Sequence, residues 1–169
     1  AFFAVRETAD KEGYIGAVLV IDERGIPQEF RCTHPVRPTT AQRALYGDNL
    51  ETYVTFELCG KPLVGALTTN PIACLVESRK VVGLRELVSL PILHIQRLGD
   101  VLTVETGQQG KDVDSMPASG RPDRLDSEAG GYQPLSVYCC RGFESDKDDA
   151  RTALERIFEQ VDLLEPFER

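Results

Sequence analysis

Residues 13–67 read GYIGAVLVIDERGIPQEFRCTHPVRPTTAQRALYGDNLETYVTFELCGKPLVGAL. Residues 14–21 (YIGAVLVI) are nearly continuous in apolar residues and end in β-branched ones, the pattern of a strand buried on both faces. Gly16 interrupts the run and marks a place where another backbone or side chain comes close. Asp22-Glu23-Arg24-Gly25 is a turn in which Gly25 supplies the positive φ of a short hairpin loop. The chain returns as a strand over residues 26–33, with Pro27 at its start, where the missing N–H does least harm. Gln28, Phe30 and Cys32 alternate with Glu29, Arg31 and Thr33, which describes a strand with one wet face near a sheet edge.

Beyond this hairpin, Pro35 and Pro38 stiffen a corner. Thr39 or Thr40 caps a short helix through Tyr46, which Gly47 stops. A second helix is expected from Asp48 or Asn49 to Gly60, with Leu50, Tyr53, Val54 and Leu58 on one face. Pro62 then opens a last turn through Leu67.

Further strands are expected at residues 2–6 (FFAVR), 72–76 (IACLV), 92–98 (ILHIQRL), 101–106 (VLTVET) and 135–140 (LSVYCC). The third and fourth of these form a second hairpin across Gly99-Asp100. Residues 107–131 are rich in glycine and charge and read as a flexible loop insertion, too apolar-poor to offset its own ordering entropy. A C-terminal amphipathic helix over residues 147–164 carries Ala150, Leu154, Ile157, Phe158, Val161 and Leu164 as one stripe, with Pro166 ending it. The expected fold is one α/β or α+β domain spanning residues 1–169. A mixed five- to seven-stranded sheet is flanked by helices, including the C-terminal one.

The net charge of −8 and pI near 4.8 argue against independent nucleic-acid binding, which rests on basic residues meeting phosphates. No apolar run reaches the length of a membrane-spanning helix. No basic segment leads into an apolar run, so no signal peptide is expected, although the chain opens on Ala1 and not on Met. Five irregularly spaced cysteines indicate reduced thiols and a cytoplasmic location rather than a disulfide framework.

Three sets of residues carry possible chemistry. Cys32 and His34 are two apart in an extended segment and are weak candidates for a metal site. Paired ligands such as C-x₂-C are missing, however, so neither metal nor cofactor is expected. Cys32 or Cys140 with His34 is also a conceivable thiolate–imidazolium pair. Glu7, Asp22 and Glu77 stand at strand ends. If the first and fourth strands are neighbours, Glu7 and Glu77 converge on one rim, where carboxylates hold Mg²⁺ for phosphoryl transfer.

The order of elements over residues 2–98 is three strands, a helical region, a strand, a helix and a strand. It resembles ribonuclease H-like nucleases, a resemblance that implies metal-dependent phosphodiester hydrolysis. Those nucleases place an aspartate inside the first strand, and residues 2–6 contain none. The third set is the prolyl corner. His34, Pro35, Arg37, Pro38, Arg43 and Tyr46 combine rigidity, positive charge and an aromatic, the makings of a contact surface. With no complete catalytic constellation, the leading expectation is a non-catalytic protein-binding or assembly subunit engaging a protein partner or further copies of itself. The hydrolase is the alternative.

Overall fold

The computed structural model describes residues 1–99, 118 and 121–168. The opening hairpins fold as expected. β1 (Phe2–Glu7), β2 (Tyr14–Ile21) and β3 (Pro27–Cys32) pair antiparallel in succession. At the β2–β3 turn Gly25 has φ of 79°. The Asp22 carboxylate accepts from the Arg24 and Ile26 amides at 2.9 and 3.0 Å, so the turn satisfies its own backbone. A register shift beside Val20 and Ile21 leaves Gln28 without a partner on β2, a bulge at the start of β3.

The chain then becomes helical from Thr40 to Gly65 almost without a break. α1 (Thr40–Tyr46) carries a full capping box between Thr39 and Gln42. Two expected stops do not stop it. Gly47 opens a single 3₁₀ turn that runs directly into α2 (Leu50–Tyr53), and Asn49 makes no side-chain cap. Gly60 closes a π-helical stretch, Val54–Gly60, and passes into α3 (Lys61–Gly65). The wider π turn accommodates Val54 and Thr55, whose β-branched side chains are stiff in an ordinary helix.

β4 (Cys74–Val76) is shorter than the apolar run that announced it. A 3₁₀ segment (Arg79–Glu86) leads to β5 (Ile92–Arg97). The strand expected at residues 101–106, and most of the loop expected at 107–131, lie outside the described residues. The described part of that loop holds a strand that sequence reading missed, β6 (Asp123–Leu125), paired with β7 (Leu135–Cys139). The C-terminal helix α4 (Ser145–Phe158) ends before the expected Leu164. A turn then leads to the short α5 (Glu165–Glu168), with Pro166 inside it, not after the helix.

All seven strands join one sheet in the order β3-β2-β1-β4-β5-β7-β6. β4 runs parallel to both β1 and β5, and the other pairs are antiparallel. It is the mixed sheet with flanking helices that the pattern implies, in the α+β class.

Each face has its own core. On one, Phe3, Val18, Cys74, Val76 and Ile92 pack under Leu50, Val54, Cys59 and Leu63 of the long helical region. Gly16 makes this possible, since a Cβ there would stand 2.7 Å from that of Cys59. On the other face Phe2, Leu75, Leu93, Ile95, Leu135 and Val137 pack under Ala150, Leu154 and Phe158 of α4. α4 contacts β5, β6 and β7, so it sits toward one end of the sheet.

Candidate functional site

On the α4 side, the strand register lays out a patch at the other end of the sheet. Phe2, Leu19 and Phe30 stand abreast across β1, β2 and β3. Ala4, Ala17 and Cys32 form the next row, and Arg6 pairs with Ile15 in the third. Side chains abreast in a sheet share a face. Phe2 is buried against Phe167 of α5, with ring centroids 5.7 Å apart. Ala4, Ala17 and Leu19 are half-buried, and Arg6 donates to the Phe167 carbonyl and to Glu77, whereas the outer part of the patch is open. Phe30 is 64% exposed, Ile15 is 38% exposed, and Cys32 is exposed.

Sequence reading missed this patch for a physical reason. The run over residues 14–21 looks like a strand buried on both faces, but only Gly16, Val18 and Val20 are buried. The alternation in β3 was legible, yet alternation alone does not say which face is covered. The hint lay in Phe30 itself, a large aromatic on an otherwise polar strand near an edge.

The carboxylates at strand ends do not converge. β1 and β4 are neighbours, as the idea required. Asp22, however, follows antiparallel β2 and lies at the opposite end of the sheet from Glu7. Glu7 shares the face of Phe3 and Val5. Glu77 is held on the other face by the Arg6 guanidinium, which donates to its Oε1. Glu77 does line a cavity of about 210 Å³ together with Asp48, Glu51, Arg6 and Lys80. Among the described residues no three His, Cys, Asp or Glu side chains are placed to hold a metal ion. With a guanidinium already on Glu77, this rim does not fit the magnesium site that the ribonuclease H-like resemblance implies.

The prolyl corner is knitted to the β1–β2 turn. Arg37 donates to Asp10 at 3.0 Å and Arg43 to the Glu12 carbonyl at 2.9 Å. Val36 bridges Tyr14. Pro38 is buried, and Tyr46 stacks on Tyr53 at 3.9 Å. His34 and Pro35 are exposed. Of the six corner residues, Arg37, Pro38, Arg43 and Tyr46 thus have evident structural partners.

Of the thiols, Cys32 is exposed and Cys59, Cys74, Cys139 and Cys140 are buried. Burial pushes the Cys59 and Cys140 thiols up and that of Cys74 to about 11. The buried Cys140 is therefore unsuited to pairing with His34 as a nucleophile. No helix among the described residues is long and apolar enough to cross a membrane. Compared with known proteins, the chain matches no family model, no curated protein and no solved structure.

Proposed function

We propose that this chain is a non-catalytic protein-binding or assembly subunit. The observation that supports the reading is the open patch on β1, β2 and β3, with Phe30 64% exposed on an outermost strand. An apolar patch on a sheet end is costly to leave in water and is a common mark of a contact surface. The carboxylate rim supplies no competing chemistry, because Arg6 already occupies Glu77 and the remaining acids stand apart. This reading puts the contact surface on the sheet in preference to the prolyl corner, where Arg37 and Arg43 are held by Asp10 and Glu12.

Native mass spectrometry at near-physiological salt, before and after EDTA, tests this. The expected result is a species heavier than one chain that chelation leaves intact and that Phe30→Asp disperses. A single chain that releases a bound divalent metal on chelation and cleaves a phosphodiester would overturn the reading.

A further inference from the structure

We infer that the partner of this surface is a second copy of the same chain, joined edge to edge through β3 in antiparallel, two-fold symmetric register centred on Phe30. The inference rests on the protein-binding reading above and specifies its occupant.

Backbone direction comes first. The Thr33 amide donates to the Gly16 carbonyl at 2.9 Å, so Thr33 turns its backbone toward β2. Alternation along the strand turns Arg31 and Glu29 the same way and leaves the amides and carbonyls of Phe30 and Cys32 pointing outward. Among the described residues no strand pairs with that outer edge. Neither outward residue is a proline, so both can join a ladder.

Register comes next. A two-fold axis at Phe30 sets Phe30 against its own copy as a hydrogen-bonded pair. It sets Glu29 against Arg31 twice, and brings Cys32 opposite Gln28, the bulged residue at which the regular ladder ends, twice. Opposite charges then face each other on the helix side, and two exposed aromatics meet on the open side. Glu29 is held on that helix side by the Thr68 and Thr69 amides, the Thr69 hydroxyl and the Nε of Arg31 in its own strand at 2.7 Å, and the Arg31 side chain, still 39% exposed, has its remaining N–H groups to share with the partner's Glu29. Other centres lack this complementarity. An axis at Arg31 would oppose two guanidiniums and turn the wrong backbone groups outward. An axis at Cys32 would set Phe30 against His34. The interface at Phe30 is isologous, since one patch serves both chains, and it closes at two.

The β3 sequence allows a direct test by cross-linking. Residues 28 and 32 of one strand are about 13 Å apart, too far for a disulfide within the chain. Across the proposed pair a ladder spacing of about 5.5 Å, within disulfide reach, brings Cys32 to the bulge at position 28. Gln28→Cys, with native Cys32, should therefore form a disulfide-linked dimer under mild oxidation. The wild type and Gln28→Cys/Cys32→Ser should not.

Sedimentation velocity over a concentration series should show a dimer for the wild type and for Phe30→Tyr, and a monomer for Phe30→Asp and Arg31→Glu. Circular dichroism must show all four folded. A wild-type monomer at every concentration, a dimer that survives Phe30→Asp, or cross-linking through Cys32 alone would overturn the inference. A monomer that instead forms a Phe30-dependent complex with a different protein would overturn it while leaving the protein-binding reading in place.

Discussion

Gly16 of β2 lies directly against Cys59 of the π-helical stretch: a Cβ on Gly16 would meet the Cys59 Cβ at 2.7 Å and its Sγ at 3.1 Å. Beside this contact, the Gly16 amide donates to the Thr33 hydroxyl at 3.0 Å. The helical region can approach the sheet this closely only because position 16 has no side chain. Gly16→Ala should cost about 1–3 kcal/mol, the usual penalty of overpacking a filled core. Urea denaturation should show a lower midpoint at an unchanged slope. A variant as stable as the wild type would mean that the helical region shifts freely over β2.

A second prediction concerns Arg85 and Asp146, which join the 3₁₀ segment to the start of α4. The Arg85 Nε donates to Asp146 at 2.6 Å, its Nη1 donates to the Val88 carbonyl at 2.9 Å, and the guanidinium lies 4.3 Å from the Phe143 ring centre. Both side chains are largely buried, 17% and 6% exposed. Removing one charge leaves the other desolvated and unpaired. Asp146→Ala should therefore cost about 3–5 kcal/mol, well beyond an exposed pair such as Arg151–Glu155. Arg151→Ala serves as the control and should change stability by less than about 1 kcal/mol.

Much of this architecture was legible in the sequence. β1, β2 and β3 fall within a residue or two of their expected bounds, because an apolar run, a turn with glycine and an alternating return strand are local signals. The Thr39 cap is equally local. The failures are tertiary. Gly47 and Gly60 carry the usual marks of helix ends, but core contacts of Leu50, Val54, Cys59 and Leu63 draw the chain through them. Whether Glu7, Asp22 and Glu77 met depended on strand direction and face. Neither is visible until the sheet order is known. Phe30 was visible, but its exposure is set by where α4 lies, more than 110 residues later in the chain.

His94 gives a pH prediction. It is buried on β5, with Nδ1 3.1 Å from the Val76 carbonyl and Nε2 3.1 Å from the Gln96 side-chain oxygen. Burial pushes the imidazole below its ordinary value of 6.5, against the raising effect of the Gln96 and Val76 contacts. The folded state therefore binds this proton less readily than the unfolded one. The stability from His94 is fully present above pH 6.5 and is lost as the pH falls from there toward its folded value. Stability measured from pH 7.5 to 5 should decline, and His94→Gln should flatten that part of the curve. A parallel decline in the variant would assign the effect to other groups.

The thiols provide the last prediction. The thiolate is the reactive form, so exposure and a low pKa together set the rate of alkylation. Cys32 is the exposed thiol of the five, while Cys59, Cys74, Cys139 and Cys140 are buried. Burial raises Cys59, Cys74 and Cys140 further from ionisation at neutral pH. Iodoacetamide at pH 7.5 should modify Cys32 first, and the other four should react only when denaturant opens the core. Peptide mapping by mass spectrometry reads the order directly. Because Cys32 lies on the open face beside Phe30, Cys32→Ser should alter stability by no more than about 0.5 kcal/mol. If Cys32 in the folded chain reacts no faster than in the unfolded chain, it behaves as an ordinary surface thiol. A markedly faster reaction in the folded chain would instead identify an activated nucleophile beside His34 and count against the non-catalytic reading.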